Sequence, residues 1–141
     1  MKVRDVMTPN VACITQETTI QETAQMMTKL NVGSMPVCEQ ESIVGIVTDR
    51  DILIRSVAEP ELAVTSSIGS IMTPKVKTIS IDTNVEEAVR IMGEHQIRRL
   101  PVTENNAVVG MVALSDIAVN TDLNEEISKG LYKLSNPHVK I

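Results

Sequence analysis

Apolar residues follow two spacings along this chain, and each spacing occurs twice. Runs long enough only for a strand lie at 11–14 and 76–79. Apolar positions at helical intervals follow each run: Ile20, Ala24 and Met27, then Val85, Ala88, Val89 and Met92. Thr19-Ile20-Gln21-Glu22 and Asn84-Val85-Glu86-Glu87 open these helices. Both fit a capping box, in which cap side chain and glutamate satisfy each other's backbone donors. The helices are predicted to end near Asn31 and Gln96. Short strands at 35–38 and 100–103 come next, then tight polar turns, Gln40-Glu41 and Asn105-Asn106, and strands at 43–47 and 108–112. So few polar residues between two strands predict an antiparallel hairpin. A second helix is expected from Arg50 to about Ala58, and from Ser115 to Asn120 or beyond. Residues 3–7 and 68–72 read as short helical turns ahead of each set.

The two sets are copies. Met7-Thr8-Pro9 recurs as Met72-Thr73-Pro74, an offset of 65 positions. With that offset held and no gap, Val11 meets Val76, Ile14 meets Ile79, Glu22 meets Glu87, and Met27 meets Met92. Pro36-Val37 then falls on Pro101-Val102, Val44-Gly45 on Val109-Gly110, and Asp51-Ile52 on Asp116-Ile117. Such a register is a tandem duplication. The fold class expected is α+β, built from two β-α-β-β-α repeats. One repeat of about fifty residues buries too little surface alone, so the copies are expected to pack sheet to sheet with pseudo-two-fold symmetry. The organisation is a first repeat with its N-terminal turn over 1–57, a linker over 58–67, a second repeat over 68–121, and a tail over 122–141. In the tail, Leu123, Ile127, Leu131 and Leu134 predict one amphipathic helix, ended by Asn136-Pro137.

Candidate chemistry sits where the apolar run ends. Gly45-Ile46-Val47-Thr48-Asp49-Arg50-Asp51 delivers a hydroxyl and carboxylates to the end of a strand, at the first turn of a helix. Asp51 lies on the same side of that turn as Thr48. A carboxylate there can accept both hydroxyl protons of a ribose. The second copy reads Gly110-Met111-Val112-Ala113-Leu114-Ser115-Asp116.

Composition narrows the function classes. The net charge of −5 opposes nonspecific nucleic-acid binding, which runs on lysine and arginine neutralising phosphates. One tyrosine and no Phe or Trp leave no aromatic platform for bases. The eight methionines read as core filler. No apolar run approaches the roughly 20 residues of a membrane span, and no basic-then-apolar leader is present, so a cytoplasmic protein is expected. Cys13 and Cys38 match no zinc or redox spacing and read as two reduced, buried thiols.

A duplicated unit carrying M-T-P, then h-x-x-h-P-V, then G-h-h-T-x-x-D resembles a pair of CBS (cystathionine-beta-synthase) domains, a Bateman module. The resemblance covers residues 3 to 120, and the stretch His95 to Val102 is similar to small stand-alone bacterial CBS-pair proteins. It implies one cleft per copy for an adenosyl compound: AMP, ADP, ATP, S-adenosylmethionine or sometimes NAD. It implies a first cleft made by Thr8, Val11, Ala12, Val32, Gly33 and Met35, with Thr48 and Asp51 on the ribose and Arg98 and Arg99 facing phosphates. A second cleft would use Thr73, Val76, Lys77, Ile97, Leu100 and Asp116. There Ala113 replaces the expected Thr, and Gly33-Ser34 stands where partner arginines would be, so the first cleft is expected to be the tighter. No cofactor is required; the nucleotide is a regulatory ligand. The resemblance further implies a homodimer that passes the ligand's signal to a separate effector protein.

Simpler roles exist for the same residues. Asp51 and Asp116 also fit plain helix caps, Arg98-Arg99 a solvated pair, and Lys77 an exposed cation. His95 fits a dipole contact at a helix end, Tyr132 an anchor for the tail helix, and His138 part of the tail. An enzyme acting on a bound adenosyl compound is the rival class, yet no phosphate-loop glycines, metal-ligating cluster or Ser-His-Asp set appears.

Overall fold

The structure is a computed structural model and describes residues 1–59, 61–120 and 125–135. In chain order, a 3-10 turn at Val3–Asp5 leads to β1 (Thr8–Pro9), α1 (Ile20–Leu30), β2 (Ser34–Glu39) and β3 (Ser42–Thr48). Next comes α2 (Asp49–Ile52), which widens into a π-helical turn at Leu53–Val57. A second 3-10 turn, Ile68–Ser70, precedes β4 (Thr73–Pro74), β5 (Ile79–Ser80), α3 (Val85–His95), β6 (Arg99–Glu104), β7 (Ala107–Ala113), α4 (Leu114–Asn120) and α5 (Glu125–Ser135). This is the expected α+β class with tandem repeats. Leu123, the Asn136-Pro137 stop and His138 lie outside the described residues.

The duplication extends to the backbone. Among the described residues the non-glycine positions with positive φ are Asn10, Asn31, Gln40 and Glu41, then Lys75, Gln96, Asn105 and Asn106. Each of the second four is the twin of one of the first. Asn31 and Gln96 cap α1 and α3 in the left-handed conformation, which ends a helix by turning the chain back on its last carbonyls. The pairs Gln40-Glu41 and Asn105-Asn106 place two successive left-handed residues in the hairpin turns, the twist that antiparallel strands prefer.

The chain forms two compact units whose boundaries cross those of the repeats. The first holds Val11–Val76 with Asn106–Val108; the second holds Met1–Asn10, Lys77–Asn105 and the described residues from Val109 on. In the first unit β3 lies between β2 and β4, antiparallel to both, with Gly45 opposite Pro74 and Ile46 opposite Thr73. Its core is Ile14, Ile20, Met27, Met35, Val37, Val47, Ile68 and Ile71. In the second unit β5 runs parallel to β6, β6 neighbours β7, and β1 pairs antiparallel with β7, with Thr8 opposite Met111 and Pro9 opposite Gly110. Val3 and Val6 join Ile79, Val85, Ala88, Val89, Met92, Leu100, Val102, Val112 and Ile117 in its core. Ile127 and Leu134 of α5 complete it, and Leu131 is half-buried. The tail helix therefore docks by the face its spacing predicts.

Three local expectations are corrected. The strands at 11–14 and 76–79 reduce to a single parallel bridge, Ile14 to Val37, and the two-residue β5. Thr19 forms its capping box with Glu22, but the Asn84 side chain makes no cap bond. The Glu87 carboxylate that would complete that box is held by Arg90 instead. Cys38 is buried, but Cys13 is exposed: its neighbour Ile14 points into the core, and alternation along extended chain turns Cys13 outward.

Candidate functional site

In the first unit Thr48, Asp51 and Gly33 meet where β3 runs into α2. Thr48 has extended backbone and caps the helix. Its hydroxyl accepts the Asp51 N–H at 3.0 Å, and its own N–H donates to Asp51 Oδ2 at 3.0 Å. This reciprocal box fixes the Asp51 side chain, which is only 12% exposed. The simpler role of Asp51, a helix cap, is thus real and occupies Oδ2. Oδ1 faces elsewhere, 3.8 Å from Nη2 of Arg55.

Arg55 is the residue that pattern reading passed over. Its Nη1 donates to the Ile71 carbonyl and to Thr73 Oγ1, each at 3.1 Å. A guanidinium can serve several acceptors at once because its donors are fixed in a planar fork. The sequence did carry a signal: Arg55 stands four residues after Asp51, the spacing that puts oppositely charged side chains together on a helix.

Around this corner, the Gly33 carbonyl accepts the Asp49 N–H at 3.0 Å and ties the start of α2 to the approach of β2. The Val32 N–H returns to the Met27 carbonyl at 3.0 Å, closing the end of α1. Met35 is buried in the core, Val32 is exposed, and Gly33, Val11, Ala12 and Val76 are half-buried.

In the second unit the corner between β7 and α4 repeats part of this. The Ala113 N–H donates to Asp116 Oδ2 at 2.9 Å, but residue 113 has no hydroxyl to return the bond. The Leu114 N–H donates to the Arg98 carbonyl at 2.9 Å, the twin of the Asp49–Gly33 bond, and the Ile97 N–H reaches the Met92 carbonyl at 3.0 Å. Leu100 is buried, Ile97 and Asp116 are half-buried, and Arg98, Arg99, Lys77 and Thr8 are exposed.

The residues of each expected cleft are divided between the two units. Thr8, expected beside Asp51, belongs to the unit of Asp116, whereas Thr73 and Val76, expected beside Asp116, belong to the unit of Asp51. The cause is steric. A Cβ on Gly45 would lie 3.0 Å from the Thr73 carbonyl oxygen, and one on Gly110 only 2.7 Å from that of Thr8. The bare glycine of each β3-type strand is what admits the Met-Thr-Pro strand of the other repeat.

Two α+β repeats, each ending its hairpin on a carboxylate that caps the next helix, define a tandem module of one known architecture. The CBS domain family matches residues 3–57 and again 68–120, and the chain belongs to that family as a tandem pair. It is 39% identical over 137 residues to the CBS domain-containing protein YhcV of Bacillus subtilis, covering 97% of each chain. Among solved structures it is similar to Hypoxic Response Protein I with two coordinated zinc ions. That likeness has a TM-score of 0.79 and 30% identity, covering 86% of this chain and 100% of that one. It is also similar to the CBS domain pair of protein MJ0100 in complex with 5-methylthioadenosine and S-adenosyl-L-methionine. There the TM-score is 0.76 and the identity 27%, covering 84% of this chain and 94% of that one. Among the described residues no helix is long and apolar enough to cross a membrane, and no three His, Cys, Asp or Glu side chains gather as a metal site.

Proposed function

We propose that this protein is a cytoplasmic regulatory module that binds an adenosyl ligand and reports its occupancy to a partner protein, without chemistry of its own. The observation that carries the reading is Asp51. It is a nearly buried carboxylate at a strand end, with one oxygen committed to the capping box and the other held beside a guanidinium. A carboxylate fixed in this way costs little ordering when it accepts a diol. The MJ0100 domain pair, of the same family and fold, is bound to two adenosyl compounds, which supports that ligand class here. AMP, ADP or ATP is the proposed ligand, with S-adenosylmethionine the alternative within the class. Arg98 and Arg99, both exposed, are proposed to meet phosphate. The Asp51 corner is proposed as the stronger site, because Asp116 holds only half of the reciprocal box.

Self-association into a homodimer is supported by Leu53, Ile54 and Val57, three exposed aliphatic side chains on one helical turn. Contiguous apolar surface of this kind marks interaction sites.

Mass spectrometry of what the purified protein releases on denaturation, followed by a thermal-shift panel, tests the reading. A ligand present at 100 times its dissociation constant adds about 2.7 kcal/mol of stability. Asp51→Asn keeps an acceptor for the Thr48 N–H and so preserves the cap, yet removes the charge that holds the ribose. It is expected to abolish the shift given by AMP and by adenosine. Arg99→Ala is expected to weaken ATP far more than adenosine. An unaltered AMP shift in Asp51→Asn overturns the proposal.

A further inference from the structure

We infer that Arg55 is the positioning residue of the Asp51 site: its guanidinium, anchored by the Ile71 carbonyl and the Thr73 hydroxyl, sets the orientation of Asp51 Oδ1 for a ligand's ribose. The inference rests on the proposed ligand class and adds to it a residue that the family pattern at Thr48 and Asp51 does not include.

Three facts carry it. Asp51 Oδ2 already commits one acceptor site to the Thr48 N–H, so Oδ1 offers a ribose the fuller acceptor capacity of the carboxylate. Nη2 of Arg55 stands 3.8 Å from Oδ1, too long for a tight hydrogen bond and short enough for attraction. The guanidinium therefore holds the carboxylate by charge without occupying the oxygen's hydrogen-bonding position. Finally, Nη1 is pinned at two points, both 3.1 Å away, on the segment that leads into β4. A guanidinium pinned through one terminal nitrogen and facing a carboxylate with the other is a brace. That brace joins the helix carrying Asp51 to the Met-Thr-Pro segment of the second repeat, so ligand contact at Asp51 is coupled to the seating of Thr73 on β3.

A phosphate-binding role for Arg55 makes a different prediction, and neutral adenosine separates the two. In isothermal titration with adenosine and with AMP, Arg55→Gln is expected to weaken both by the same factor. That factor is about two- to tenfold, the cost of ordering one freed side chain on binding. Arg55→Lys keeps the charge but loses the fork, and is expected to bind as poorly as Arg55→Gln. Thr73→Val removes one anchor and is expected to lose part of the affinity. The double variant Arg55→Gln/Thr73→Val is expected to be no weaker than Arg55→Gln alone, because both changes break one brace. Loss confined to AMP, full affinity in Arg55→Lys, wild-type binding in Thr73→Val, or additive losses each overturns the inference. Failure of the ligand class itself is read separately, as wild-type protein that binds neither compound or an Asp51→Asn variant that binds both normally. Thermal midpoints without ligand show that each variant is folded.

Discussion

Replacing Gly45 and Gly110 by alanine tests the account of how the two repeats are built. At Gly45 the new Cβ would lie 2.5 Å from Met72 Sδ and 3.0 Å from the Thr73 carbonyl oxygen. The sulfur is the mobile end of a flexible side chain and can swing aside; the carbonyl sits at the limit of tolerance. At Gly110 the Cβ would lie 2.7 Å from the Thr8 carbonyl oxygen and 2.9 Å from Met7 Sδ. There the nearest obstacle is backbone, so β1 must move off β7. Overpacking costs about 1–3 kcal/mol, and replacing a strand glycine returns about 0.5–1 kcal/mol. The net expectation is a loss of about 1 kcal/mol for Gly45→Ala and about 2 kcal/mol for Gly110→Ala. Urea denaturation measures both, as midpoint shifts at unchanged slope. A Met72→Ala change made in the Gly45→Ala background removes the sulfur that obstructs, so the pair should be less than additive. Met7→Ala leaves the Thr8 carbonyl in place and should relieve Gly110→Ala less. The reasoning is refuted if Gly110→Ala is the milder change, or if Gly45→Ala and Met72→Ala simply add.

Three further outcomes are expected. Thr19→Ala should cost about 1 kcal/mol by removing a working cap, whereas Asn84→Ala should change the urea midpoint little, since that side chain makes no cap bond. Burial, and then the neighbouring Cys13 side chain, push the Cys38 thiol up from 9.0 to about 12. Iodoacetamide at neutral pH should therefore label Cys13 alone in the native protein. Because the folded value is the raised one, the Cys38 contribution to stability is whole below pH 9.0 and is lost as pH climbs toward 12; a Cys38→Ala variant should lack that alkaline loss. Gly130→Ala would set a Cβ 2.1 Å from Val89 Cγ1 and 3.1 Å from the Val89 carbonyl oxygen, forcing α5 away from α3. Hydrogen exchange should then quicken along Glu125–Ser135.

Local signals foretold local geometry. The 65-position register in the sequence reappears as paired left-handed residues, although Gln96 and Gln40-Glu41 are poorer choices for that conformation than Asn31 and Asn105-Asn106. Helix ends at Asn31 and Gln96, the two hairpins and the buried face of α5 followed from spacing alone. The partner of each Met-Thr-Pro strand did not. A two-residue strand carries no pattern of its own, and its pairing is settled by which distant strand offers a bare glycine. The Asn84 box failed for a similar reason, because Arg90 competes for Glu87. Thr48 and Asp51 were legible because polar residues interrupt an apolar run and the carboxylate recurs as Asp116. Arg55 was legible only in its spacing from Asp51; its anchors, the carbonyl of Ile71 and the hydroxyl of Thr73, are tied to it by nothing local in the sequence.

The exchange of Met-Thr-Pro strands means that the segment copied in the gene is not the segment that folds. Scissors placed between the repeats would release a first half whose β3 has lost its β4 neighbour, carrying instead a β1 that has nothing to lie against. Two such halves offered to one another would regain their missing edges only by trading them. A fragment that keeps β3 between both of its neighbours must begin about ten residues late, at Val11, and continue past Pro74, and it still leaves behind Asn106–Val108 of its unit.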